Sequence, residues 1–178
     1  MTPLDPRRVQ QLGQIIDLLV ETLGEPSCPL RRAIVLNDIW QHPGATLREV
    51  MERLNLDKST AFRDIEWLVD HGCLIKKTNE TNKREIDLFV FEKTKMQLEQ
   101  IYRICGGSPY LTAILQGFID LAPKRKQSLR EAKILISLTL YGKMDKNELA
   151  KSLYDGPTTT DQRAIQNLIN EGFVEDDA

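Results

Sequence analysis

Offset by about one hundred residues, the chain repeats itself. Leu30-Arg31-Arg32-Ala33 returns as Leu129-Arg130-Glu131-Ala132, and Thr46-Leu47-Arg48-Glu49 returns as Asp145-Lys146-Asn147-Glu148. Ser59-Thr60 and Arg63 return as Thr159-Thr160 and Arg163, while Leu68, Gly72 and Leu74 return as Leu168, Gly172 and Val174. Such a repeat constrains the architecture before any single motif does, because each copy must be a structural unit. With 178 residues and 41% hydrophobic content, the chain can bury a core in one domain or in two small ones.

The repeated unit reads as three helices. Ahead of it, Asp5-Pro6 offers an N-cap with proline at the first helical position, and Gly24 a stop. Val9, Leu12, Ile16, Leu19 and Leu23 recur at alternating three and four, a two-heptad seam. That seam serves either the chain's own core or a homodimer through helix 6–23. A second helix runs from near Pro29 to about His42. Thr46 and Glu49 form a capping box for a third. Asn55 suits a left-handed turn, and Asp57 caps a fourth helix that Gly72 ends near His71.

At 100° per residue the fourth helix divides into two faces. Ala61, Phe62, Ile65, Leu68 and Val69 share the inner arc, whereas Ser59, Arg63 and Trp67 lie opposite, with Thr60 at the edge. Trp67 is expected to pack against the hairpin or a neighbouring domain. Beyond Gly72 the period changes: Cys73-Leu74-Ile75 and Ile86-Asp87-Leu88-Phe89-Val90 read as strands. The polar stretch between them carries Lys76, Lys77, Lys83 and Arg84, giving a hairpin with four basic residues near its tip. Two amphipathic helices follow, broken at Gly106-Gly107. After the basic connector Pro123-Lys124-Arg125-Lys126-Gln127, Ser128 and Glu131 open the second copy with another capping box. That copy has room for one strand at most.

Residues 29–91 resemble a winged helix-turn-helix domain, most similar to the bacterial MarR-type transcriptional regulators. The residues that carry the likeness are Thr46-Leu47-Arg48-Glu49-Val50, Leu56 to Arg63, Leu68, His71 to Ile75 and the basic hairpin. The implied fold is mainly α with a small β-hairpin wing, as tandem winged helix or helix-turn-helix units joined by amphipathic helices. The organisation expected is an N-terminal amphipathic helix (1–28), the winged unit (29–91), connecting helices (92–122), a basic linker (123–127) and a second unit lacking a complete wing (128–178).

What the resemblance implies is double-stranded DNA as partner and transcriptional regulation as role. Helix 57–71 would enter the major groove with Lys58, Ser59, Thr60 and Arg63 at base edges or phosphates. Lys83 and Arg84 would meet the adjacent backbone or minor groove, and Lys76 and Lys77 phosphates. In the second copy Thr159, Thr160, Gln162 and Arg163 form a second candidate DNA contact, although Glu175-Asp176-Asp177 puts acid where a basic wing would be. The location implied is cytoplasmic, in association with a bacterial nucleoid.

Charge tempers this reading. The net charge is −2, and residues 46–85 hold eight basic and eight acidic side chains, so DNA affinity must rest on local placement. Two other functions fit the same pattern: a tandem winged-helix interaction module of a transcription assembly, with a protein partner for the second repeat, and a plasmid replication or partition protein. No nucleophile–base pair, phosphate loop or metal cluster points to an enzyme, and no cofactor is implied. There is no apolar run of membrane-spanning length. Cys28, Cys73 and Cys105 read as reduced, mostly buried thiols. Cys28, beside a helix start, is the candidate for a lowered pKa.

Overall fold

A computed structural model describes residues 5–123, 126–153 and 158–175. Lys124 and Arg125 of the basic connector, and Asp176-Asp177 of the acidic tail, lie outside the described residues. The elements are α1 (Pro6–Leu23), α2 (Leu30–Gln41), α3 (Leu47–Leu54), α4 (Lys58–Asp70), β1 (Leu74–Thr78), β2 (Ile86–Val90), α5 (Glu92–Cys105), α6 (Ser108–Leu121), α7 (Leu129–Tyr141), α8 (Lys146–Lys151) and α9 (Thr159–Asn170).

Local chemistry sets the helix boundaries. Asp5 accepts a hydrogen bond from the Arg7 N–H, Pro6 occupies the first turn, and Gly24 closes α1 with φ of 73°. Thr46 and Glu49 form the expected capping box, as do Ser128 and Glu131. Asn55 sits at φ of 50°, in the left-handed region its short side chain tolerates. The helix stops repeat with the sequence. Cys73 N–H donates to the Leu68 carbonyl at 2.8 Å, and Phe173 N–H to the Leu168 carbonyl at 2.9 Å. Each stop turns on a glycine at positive φ, Gly72 at 69° and Gly172 at 76°.

The wing is an antiparallel hairpin pairing Leu74 with Val90 and Thr78 with Ile86. It gains a third edge at Ala45, whose carbonyl accepts from Leu88 N–H at 2.9 Å while Gly44 N–H returns a bond to Leu88 at 2.8 Å. β1 runs three residues beyond the expected strand. Lys76 and Lys77 therefore lie within it, opposite Leu88 and Asp87, and only Lys83 and Arg84 of the four basic residues belong to the connecting turn. The turn is organised by Asn79, whose Oδ1 accepts from the N–H groups of Thr81 and Asn82.

The seam of α1 is spent within the chain. Val9, Ile16, Leu19 and Leu23 are buried in the main core with residues of α2, α4, α5, α6 and α7. A homodimer through helix 6–23 would have to use another face of it. α7 contributes to two cores: Leu129, Ala132 and Ile136 join the main one, and Ile134 joins a smaller one with Leu149, Ile165 and Leu168. Among the described residues Phe173 and Val174 form no strand. Where the first unit seats β2 against Ala45, the second leaves a cleft of about 500 Å³ lined by Met144, Leu149, Ile165, Ile169 and Phe173.

Candidate nucleic-acid interface

Helix α4 presents its N-terminal half to solvent. Asp57 accepts from Thr60 N–H at 2.9 Å and from the Ser59 hydroxyl at 2.7 Å. The Thr60 and Ser59 side chains and the Thr60 N–H together hold the Asp57 carboxyl well below the usual range. The Ser59 proton is committed to Asp57, so its oxygen is left to accept rather than to donate. Lys58 and Arg63 are exposed, Thr60 is half-buried, and Arg63 Nε rests 3.3 Å from the Ser59 carbonyl one turn back.

The inner face differs from the angular expectation in two places. Phe62 is 50% exposed, at the rim of the helix and not in the core. Asp64 is only 1% exposed, in line with Ala61, Ile65 and Leu68. Two arginines of α2 explain it. Arg31 Nε lies 2.6 Å from Asp64 Oδ2, and Arg32 Nε 3.1 Å from Oδ1. The carboxylate is thereby neutralised and bonded where an apolar residue would otherwise sit. A sequence signal for this existed. Arginines in the first turn of a helix oppose its dipole, so two in succession call for an acidic partner.

Trp67 packs against the main core, with His71 and Arg32 at its ring. Its ring stacks on His71 with centroids 3.6 Å apart, and Arg32 lies over it at 4.5 Å. Arg32 thus touches both Asp64 and Trp67, joining the start of α2 to the middle of α4. A third arginine sets α3: Arg53 grips the buried Asp38 of α2 through Nε at 2.9 Å and Nη2 at 2.8 Å.

The basic side chains of the wing divide by environment. Lys76 is ion-paired with Glu66 of α4, and Lys77 sits 5.0 Å over the Phe89 ring. Lys76 thus ties the hairpin to α4, whereas Lys77 packs within the hairpin on a residue of β2. Lys83 and Arg84 are exposed at the turn. In the second unit Thr159, Thr160, Gln162 and Arg163 are all exposed on α9, while Asp161 is fully buried against Arg130 of α7.

The thiols are quiet. Burial pushes Cys28 up to about 12, against a smaller opposing effect of Arg32, so the expected lowering is reversed by desolvation. Burial raises Cys73 as well. Among the described residues no group of histidine, cysteine and acidic side chains could hold a metal. None of the described helices is long and apolar enough to cross a membrane.

A capped helix-turn-helix with a two-stranded wing bound to its side defines a winged-helix domain. Residues 31–86 match the MarR family model, and the first unit is a MarR-like winged helix. No curated protein sequence matches the chain. Solved structures similar to it include a MarR mutant from E. coli complexed with operator DNA, 18% identical, covering 93% of this chain and 90% of that one at a TM-score of 0.43. A SlyA-like transcription regulator from Listeria monocytogenes is 23% identical, covering 76% and 91% at 0.44. PcaV from Streptomyces coelicolor, in complex with its natural ligand, is 24% identical, covering 66% and 79% at 0.41. The family match covers residues 31–86, the first unit alone.

Proposed function

We propose that the protein is a sequence-specific DNA-binding transcriptional regulator that reads the major groove through α4. The observation that carries this is the division of that helix. Its back is clamped by Arg31 and Arg32 through Asp64, and its front leaves Lys58, Ser59 and Arg63 exposed in its first two turns. A reading helix needs both, a fixed orientation and solvent-facing polar groups at its N-terminal end. The family match and the operator complex of the E. coli relative support the same reading.

Within it Arg63 faces a guanine edge and Ser59 accepts from a base amino group. Lys83 and Arg84 approach the flanking backbone. The Trp67 ring on the same helix is occupied by Arg32 and His71. The test is selection of bound duplexes from a random pool, followed by titration of the recovered site across salt concentrations. Affinity should fall steeply with salt through counterion release. Failure to recover any enriched sequence, or binding insensitive to salt, would exclude the reading.

A further inference from the structure

The two units are related by more than succession. Pro29 and Ser128 form an antiparallel bridge, flanked by Leu30 N–H donating to the Gln127 carbonyl at 2.9 Å and Leu129 N–H donating to the Cys28 carbonyl at 3.0 Å. Residues 28–30 and 127–129 are counterparts in the repeat. Exchanging the units therefore maps this pair of bonds onto itself, which is a local two-fold axis.

The same exchange holds away from the bridge. Asn37 of α2 donates to the Thr112 hydroxyl of α6 at 2.7 Å. Their counterparts in the repeat are Ile136 of α7 and Gly13 of α1. Those two also meet: a Cβ on Gly13 would stand 3.5 Å from Ile136 Cγ2. Each unit's leading helix thus packs on the other unit's first helix, α1 on α7 and α6 on α2. Arg31 and Arg130, each two residues past the bridge, are counterparts as well. Each pins a buried aspartate on the last helix of its own unit, although Asp161 stands three residues earlier in the repeat than the counterpart of Asp64.

We infer that one chain is a covalent two-fold pair of DNA readers, and that it occupies an inverted pair of half-sites alone, with α9 as the second reading helix. This rests on the DNA-binding reading above. Two-fold proteins match two-fold sites, so reader symmetry sets half-site orientation. The scaffold is symmetric but the reading residues are not. Arg63 and Arg163 correspond, whereas Lys58 is replaced by Thr158 and Phe62 by Gln162, and among the described residues one unit alone has a wing. The site is therefore an imperfect palindrome, its halves sharing the base read by arginine and differing around it. Linkage also accounts for weak charge. Once one unit is seated, the second binds intramolecularly, at an effective concentration that offsets its sparse phosphate contacts.

The test uses the full chain and a duplex recovered from the random pool. Native mass spectrometry counts chains per duplex, and hydroxyl-radical footprinting maps protection. The expected result is one chain per duplex with two protected blocks in inverted orientation. Arg163→Ala weakens protection of one block and lowers affinity by about fivefold or more, and Arg63→Ala does the same at the other. Both arginines are exposed, so unchanged thermal melting checks that the variants fold. A single block indifferent to Arg163→Ala, or two chains on each duplex with Arg163→Ala silent, overturns the inference while the DNA-binding reading stands. Recovery of no duplex at all defeats both.

Discussion

Arg31 and Asp64 meet across thirty-three residues of sequence, Nε to Oδ2 at 2.6 Å, and this contact aims the reading helix. Removing the carboxylate would leave Arg31 and Arg32 facing each other with no anion between them. Asp64→Ala should therefore cost about 3 kcal/mol, at the lower end for a broken buried pair because both guanidiniums reach water. Urea denaturation measures the loss. Asp64→Asn, which keeps the shape and part of the bonding, should cost less, and the two variants together separate charge from packing.

Arg63→Ala should behave in the opposite way. The side chain is exposed and bonds to the Ser59 carbonyl one turn back. Stability should stay within about 0.5 kcal/mol of the parent. Binding to the selected duplex should weaken by roughly 1–3 kcal/mol and lose preference at one base position. Replacing Lys83 and Arg84 together by alanine should instead lower affinity for all sequences alike and flatten the salt dependence.

Asn37 is the polar hub that joins α2 to α5 and α6. It is fully buried, accepts from Tyr102 Oη at 2.5 Å and Ser108 Oγ at 2.8 Å, and donates to the Ser108 carbonyl at 3.1 Å and the Thr112 hydroxyl at 2.7 Å. Asn37→Leu would strand four groups. A loss of about 3 kcal/mol or more is expected, since each orphaned buried group costs on the order of 1–3 kcal/mol. An unchanged urea midpoint would show that water satisfies these groups.

Two cap carboxylates tie stability to acid pH. Bonding to Thr46, first through its N–H, holds Glu49 low, and bonding to Thr60 and Ser59 holds Asp57 low. Depressed carboxyl values add stability that is fully present above the unfolded values near pH 4, and that is lost as pH falls through the folded ones. Denaturation series between pH 6 and pH 2 should show the slope beginning below about pH 5. Glu49→Gln and Asp57→Asn should each flatten it.

The thiols should separate by burial. Cys28 and Cys73 are 0% and 1% exposed, whereas Cys105 is half-buried. A thiol reagent at pH 8 should modify Cys105 first and reach the other two only on unfolding, because a buried thiol with a raised pKa supplies almost no thiolate. Cys28, pushed up to about 12, also gives a signed effect at high pH. Between roughly pH 9 and pH 12 the unfolded chain loses this proton and the folded one keeps it, so stability falls as pH rises. Cys28→Ser should lessen that fall.

Much of the fold was legible in the residues because it is written in local chemistry. Caps at Asp5, Thr46, Asp57 and Ser128, stops at Gly24, Gly72 and Gly172, and the period change after Gly72 all act within a few residues of themselves. The hundred-residue repeat announced two similar units for the same reason. What periodicity could not supply was the content of a face. It put Phe62 inside and overlooked Asp64, because whether a position favours a phenyl ring or a carboxylate depends on what lies opposite. Here Arg31 and Arg32 lie opposite, brought there only by the packing of α2 on α4. The polar run suggests tip charges at Lys76 and Lys77, but the register places them in a strand, beside Glu66 and Phe89. The sequence by itself thus determined the elements, their ends and their repetition. Tertiary structure alone decided how the copies face each other, through bonds between Leu30 and Gln127 and between Leu129 and Cys28, since contacts spanning about one hundred residues leave no trace in any local pattern.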